Sequence, residues 1–119
     1  MNDKIRKCLF DVVLASEDIE NFTKRMKFSD YLASKMAQRA VEREFEIIGE
    51  ALNRIKGIDS EILKDITEYH RIIGFRNVLA HGYDIVDEKL VWDAISKHLP
   101  ILVKEIRSFS SFFSFYEKK

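Results

Sequence analysis

The sequence predicts an all-α protein, an antiparallel bundle of four to five helices. Apolar residues recur at steps of three and four along most of the chain, which is the period of an amphipathic helix. Only four Gly and one Pro occur among 119 residues, so few turns interrupt the helices. No segment alternates apolar and polar residues as a half-buried strand does. At this length we expect one domain over residues 1–119.

The first predicted helix extends over about seven turns and contains the single cysteine of the chain, Cys8. Its place on the apolar stripe favours a small buried group in a reducing compartment. A catalytic thiol is the less favoured interpretation, because no histidine lies near Cys8 in the sequence to act as its base. The apolar positions of this helix are Ile5, Cys8, Leu9, Val12, Ala15, Ile19, Phe22 and Met26.

The second predicted helix begins after Ser29 and ends at Gly57. Phe28 and Ser29 have the pattern of a hydrophobic residue before an N-cap. Gly49 lies inside the helix, where glycine costs roughly 1 kcal/mol relative to alanine. We therefore expect another element, most simply a crossing helix, to pack close to the backbone there. The helical period is carried by Ala37, Ala40, Val41, Ile47, Ile48, Ala51, Leu52 and Ile55.

Asp59 and Ser60 are predicted to cap a third helical segment, which Gly82 is placed to end. The pattern leaves open whether this segment is one helix or two. Its apolar residues are Ile62, Leu63, Ile66, Ile72, Ile73 and Leu79.

Asp87 is predicted to cap a further helix, and Pro100 either begins a new helix or kinks a continuous one. The chain ends in an aromatic segment, which either completes the core or contributes part of its surface to an interface. Its aromatic residues at helical spacing are Phe109, Phe112, Phe113 and Tyr116.

The charges balance, with 20 Lys and Arg against 20 Asp and Glu, so no overall positive field attracts nucleic acid at long range. Contact with RNA would have to be local. The first residues do not have the pattern of a signal peptide, and no run of 18 apolar residues occurs. We therefore expect a cytoplasmic protein without a membrane segment.

The segment RNVLAHGYDIVD, residues 76–87, concentrates the reactive side chains of the chain. On a helix, Asn77 and His81 lie four residues apart on one face, so Asn77 can orient His81. Arg76 and His81 are about 140° apart. Histidine can exchange a proton near neutral pH, and arginine can neutralise the charge that develops on a phosphate. Because this angle separates the two groups of one chain, a dimer would be a natural way to complete such a site.

These residues alone favour a simpler interpretation, a surface cation and a histidine that the helix dipole stabilises at a C-terminus. Tyr83 alone would be interpreted as a core or interface residue. However, Arg76, His81 and Tyr83 together form the pattern RX4HXY, which resembles HepT-like members of the HEPN superfamily. QRAVEREFEIIGEAL, residues 38–52, resembles the second helix of that family, and residues 84–92 resemble its following segment.

The resemblance implies a HEPN-like bundle that forms a homodimeric toxin, a metal-independent endoribonuclease without a cofactor. Arg76 and His81 of both chains would be catalytic, and Asn77 would have a supporting polar role. The implied partner is an MntA-type nucleotidyltransferase antitoxin that transfers AMP to Tyr83. The added bulk and negative charge two residues from His81 would exclude an RNA phosphate.

Glu46 and Glu50 share a face of the second helix, where most glutamates are solvated. Alternatively, Glu50 holds Arg76 in position, because a partly buried guanidinium needs a carboxylate. A metal site of two carboxylates is less favoured, since the stretch lacks a histidine three residues from a glutamate.

Two other functions remain possible from the sequence. The first is a non-catalytic helical binding or dimerisation subunit that partners a nucleotidyltransferase. The second is a purely structural helical protein.

Overall fold

Helices account for nearly all of the described chain, which confirms the predicted all-α fold. The computed structural model describes residues 2–81 and 86–109, without the side chains of residues 80 and 81. In these residues six α-helices are present: α1 (Asp3–Thr23), α2 (Phe28–Ala33), α3 (Lys35–Ile58), α4 (Tyr69–His81), α5 (Glu88–Asp93) and α6 (Leu99–Arg107). A 3-10 helix (Ser60–Asp65) precedes α4, and a π-helical turn (Ala94–His98) joins α5 to α6.

The helices α1 and α3 form the central pair, and α4 packs against α3. Cys8 near the start of α1 and Arg54 near the end of α3 border one surface depression, so the two helices are antiparallel. Cys8 is buried, as predicted, and burial raises the pKa of its thiol, so the thiol keeps its proton. The buried stripe of α1 includes Ile5, Cys8, Leu9, Val12, Ala15 and Ile19.

The predicted second helix is two helices, and the prediction that Ser29 is its N-cap was wrong. The helix α2 begins at Phe28, and the Asp30 carboxylate accepts a hydrogen bond from the Lys27 backbone N–H at 2.9 Å. Ser34 then caps α3, since its hydroxyl oxygen accepts from the Ala37 N–H at 3.1 Å.

The prediction that Gly57 ends the second helix was also wrong, because α3 continues to Ile58. The backbone N–H of Asp59 still donates to the Ile55 carbonyl at 2.8 Å, which closes the last turn. The Asp59 carboxylate accepts from the Glu61 N–H at 3.1 Å, so it caps the next segment as predicted. That segment is two elements, the 3-10 helix and α4; Gly82, predicted to end it, lies outside the described residues.

Asp87 caps α5 as predicted, because its carboxylate accepts from the Lys89 N–H at 3.0 Å. Pro100 lies within the first two residues of α6, which follows the π-helical turn directly. Proline lacks an N–H, and its ring needs space beside the carbonyl four residues earlier, so a wider turn relieves the conflict. Phe109 packs against the core, while the rest of the aromatic segment falls beyond the described part.

None of the helices in residues 2–81 and 86–109 combines the length and the apolar composition that a membrane span requires.

Candidate functional site

The side chain of Arg76, on α4, lies directly against the backbone of α3 at Gly49. A Cβ atom added to residue 49 would be 2.2 Å from the Cβ of Arg76 and 2.5 Å from its Cγ. Carbon atoms in contact are usually 3.5–4.0 Å apart, so the approach is possible only because residue 49 is glycine. The prediction of a crossing helix at Gly49 is therefore confirmed.

The guanidinium of Arg76 is held at both of its terminal nitrogens. Nη1 donates a hydrogen bond to Oδ1 of Asn77 at 3.2 Å, and Nη2 lies 3.7 Å from Oε1 of Glu50. The second contact is an ion pair, which is longer than a hydrogen bond. The predicted pairing of Glu50 with Arg76 is thus present in the structure. Because the Glu50 side chain is 46% exposed, the ion pair orients the guanidinium more than it stabilises the fold.

The Arg76 side chain is buried along its stem and accessible at its end. Overall it is 28% exposed, whereas its Nε is buried without a hydrogen-bond partner among the described residues. Each terminal nitrogen carries two N–H groups, and the contacts with Asn77 and Glu50 leave donor capacity at both. The end of the side chain can therefore still donate to an anion such as a phosphate.

Arg76 and His81 lie on the same helix, since α4 is helical from Tyr69 to His81. The helical angle of about 140° between positions 76 and 81 therefore applies. The side chain of His81 and the whole of Tyr83 lie outside the described residues. The contact of Asn77 with His81 stays a prediction, and the described contact of Asn77 is with Arg76.

A groove of about 500 Å³ separates α4 from α5 and the π-helical turn, and its described lining includes Val78, Val86 and Asp87 of the segment 76–87. Phe75 and Val78 line it from α4, and Val86 and Leu90 from the opposite side. Val78 is 61% exposed and Leu90 is 62% exposed, so the groove has an apolar rim. An exposed apolar rim of this kind is typical of a surface that contacts another molecule. The sequence did not predict this groove, because the spacing of residues within one helix does not show which helix lies opposite.

His98, which had no predicted role, also lines this groove. Its Nδ1 is 3.0 Å from Oε2 of Glu68, and Nε of Arg71 is 3.2 Å from the same oxygen. These contacts fix the three side chains between α4 and the π-helical turn.

A cluster of polar side chains that the sequence did not predict is buried between α2, α3 and α5. Glu42 is 9% exposed and its carboxylate accepts from Nη1 of Arg39 at 3.2 Å. Burial, followed by the neighbouring Glu88 carboxyl, raises the pKa of Glu42 to about 7. Burial and the two carboxyls also raise the pKa of Tyr31, which is fully buried. A signal was available, because Glu42 is spaced three and seven residues before the buried Phe45 and Gly49.

No group of three or more His, Cys, Asp or Glu side chains is placed to bind a metal ion within the part of the chain that the structure describes.

Comparison with known proteins connects this arrangement to one family. The model of a family described as "Ribonuclease HepT-like" matches residues 14–109, which include Gly49, Arg76 and His81. No solved structure matches the chain at a significant level.

Three relatives show the extent of the similarity. "Putative RNase MJ1380" of Methanocaldococcus jannaschii is 30% identical over 102 residues, which cover 86% of this chain and 93% of the relative. "Putative RNase MJ1216" of the same organism is 34% identical, over 85% of this chain and 83% of the relative. "Probable ribonuclease HepT" of Thermococcus cleftensis is 36% identical, over 79% of this chain and 84% of the relative.

Proposed function

The chain belongs to the ribonuclease HepT-like family, and we propose that it is an endoribonuclease that cleaves RNA without a metal ion. The observation that carries the proposal is the guanidinium of Arg76. It is fixed by Gly49, Glu50 and Asn77, and its end remains accessible to an anion. It belongs to the RX4HXY motif, within the segment that the family model matches.

In the proposed reaction His81 and Arg76 have separate tasks. His81 takes the proton of a ribose 2′-hydroxyl, whose oxygen then attacks the adjacent phosphorus. Arg76 donates hydrogen bonds to the phosphorane oxygens, where negative charge develops. The bond from phosphorus to the 5′-oxygen breaks, and a proton returns to that oxygen. A fixed guanidinium suits this task because it does not need to reorganise during the reaction.

We propose that the active form is a homodimer, for two reasons. First, positions 76 and 81 are about 140° apart on α4, so the Arg76 of one chain can serve the His81 of another more easily than its own. Second, the exposed Val78 and Leu90 provide an apolar surface beside the motif that a second copy could cover.

The proposed biological context is a toxin–antitoxin system in which a nucleotidyltransferase antitoxin of the MntA type transfers AMP to Tyr83. The support is the family and the presence of Tyr83 two residues after His81. A bulky anion at that position would compete with RNA phosphate for Arg76.

Cleavage of labelled RNA by the purified chain in EDTA tests the nuclease proposal. We expect Arg76→Ala and His81→Ala to abolish cleavage while circular dichroism shows unchanged helical content. His70→Ala is the matched control, because His70 is an exposed histidine on the same helix, and it should cleave normally. Full activity of His81→Ala would contradict the assignment. RNA binding without cleavage by the wild type would instead support the non-catalytic binding subunit.

Incubation with the cognate nucleotidyltransferase and ATP tests the modification. We expect the intact mass to increase by an AMP group, and Tyr83→Phe to prevent the increase. An unchanged wild-type mass, or modification of Tyr83→Phe to the same extent, would contradict modification at Tyr83.

A further inference from the structure

The contact between Gly49 and Arg76 differs from an ordinary close approach of two helices. The atoms that would collide, the Cβ atoms of residues 49 and 76, are both attached directly to helical backbone. Neither is the end of a flexible side chain that could turn aside. A side chain at position 49 would therefore have to displace α4 from α3 by about 1.3 Å before the two atoms reached ordinary contact.

Such a displacement would move the guanidinium relative to only one of its partners. Asn77 is on α4 with Arg76 and would move with it, so the contact with Nη1 would survive. Glu50 is on α3, next to Gly49, and already lies 3.7 Å from Nη2. Separation of the helices would break that ion pair and leave the guanidinium held only by Asn77.

We propose that Gly49 is a positioning residue for Arg76: the missing side chain at position 49 sets how deeply the arginine stem packs, and thereby where its guanidinium meets RNA phosphate. Glu50, the next residue, adds a second constraint, because its carboxylate pairs with the end of the guanidinium. The positioning of the Arg76 side chain is inferred from its contact with Gly49, while the effect on catalysis rests on the proposed ribonuclease function.

Two other glycines provide controls for the conformational effect of glycine itself. An added Cβ at Gly57, on α3, or at Gly74, on α4, would meet no atom of the described residues within 4 Å. Alanine at either position should leave the fold intact, since alanine is the better helix former. Gly57→Ala is the control for cleavage, because Gly74 lines the groove proposed as the subunit interface. Any loss specific to Gly49→Ala therefore reports the contact with Arg76.

A double-mutant cycle of thermal unfolding tests the geometry without any assay of activity. Gly49→Ala should lower the melting temperature of the wild type. In an Arg76→Gly background position 76 has no Cβ, so adding Gly49→Ala should cause no further loss. An equal loss in both backgrounds would overturn the proposal, because the added methyl group would then collide with something other than Arg76.

Kinetics test the catalytic consequence at a temperature where every variant is folded. Gly49→Ala should lower kcat about 100-fold with a smaller change in KM, since a displacement of about 1 Å can cost that much in rate. Added methylguanidinium should restore part of the cleavage lost in Arg76→Gly, and equally in the Gly49→Ala/Arg76→Gly double variant. A merely structural role of Gly49 would reduce this rescue in the double variant and would overturn the proposal.

Failure of the two proposals can be distinguished. If the wild-type chain does not cleave RNA, the proposed function is wrong. The double-mutant cycle of thermal unfolding then decides alone whether Gly49 positions Arg76. If the wild type cleaves and Gly49→Ala matches its kcat, the positioning role is wrong while the ribonuclease stands.

Discussion

Replacing Glu42 by glutamine should change how the stability of the protein depends on pH. Burial and the Glu88 carboxyl raise the pKa of Glu42 from 4.5 to about 7. Between these values the folded protein retains a proton that the unfolded chain releases. The contribution of Glu42 to stability is therefore largest below pH 4.5, and it is lost as the pH rises towards 7.

The magnitude follows from 1.4 kcal/mol for each pKa unit, which gives about 3 kcal/mol between pH 4.5 and 8. Glu44, whose pKa is raised by burial and by Asp18, contributes in the same direction. Glutamine can retain a hydrogen bond but cannot ionise. Glu42→Gln should therefore be more stable than the wild type at pH 8, and its stability should fall less between pH 5 and 8.

Urea unfolding followed by circular dichroism, repeated from pH 5 to 8, measures this difference. The matched control is Glu46→Gln, which removes a carboxylate from the same helix without touching the contact between Glu42 and Glu88. Parallel stability curves for the wild type and Glu42→Gln would refute the reasoning, because the Glu42 carboxyl would then ionise as easily in the folded protein as in the unfolded chain.

Three further predictions concern the cap of α5, the ion pair between Arg76 and Glu50, and the exposed groove. Asp87→Ala should lower the free energy of unfolding, measured with urea, by about 1 kcal/mol because the α5 cap is lost. Asp87→Asn should retain most of the stability of the wild type, because asparagine also caps helices. Glu50→Gln should lower kcat for RNA cleavage while changing stability by less than about 1 kcal/mol, and unchanged kcat would argue against the ion pair as an orienting contact. Val78→Asp should shift the sedimentation of the protein from dimer to monomer if the groove rim is the subunit interface, whereas Leu14→Asp, an exposed change on α1, should not.

The caps show which features of the fold are local enough to predict from sequence. Asp59 and Asp87 each accept a hydrogen bond from the backbone two residues later, so the chemistry that places them is contained in a few residues. Ser29 and Ser34 illustrate the limit of that approach. Both precede helical residues, and only Ser34 caps a helix, because Lys27 and Asp30 already satisfy the start of α2.

The site shows the same division between local and distant contacts. The cost of glycine within a helix predicted a close neighbour at Gly49, and the alternative pairing of Glu50 with Arg76 placed that arginine nearby, but no local pattern showed that the Arg76 stem itself lies against Gly49. Glu42 lies in a run of charged residues, and its burial depends on α2 and α5, which are brought over it by the fold. The spacing of Glu42 before Phe45 and Gly49 indicates its helix face, but which groups cover that face depends on the packing of whole helices.

The π-helical turn before Pro100 lets the continuous helical segment of α5 and α6 pack against two different helices. A turn with one extra residue rotates everything after it by about 100° relative to an uninterrupted α-helix. The helix α5 packs against α2, whereas α6, beyond the turn, packs against α1. The extra residue thus rotates the apolar face of α6 relative to that of α5. As a result α6 packs against the central helix α1, although no loop separates it from α5.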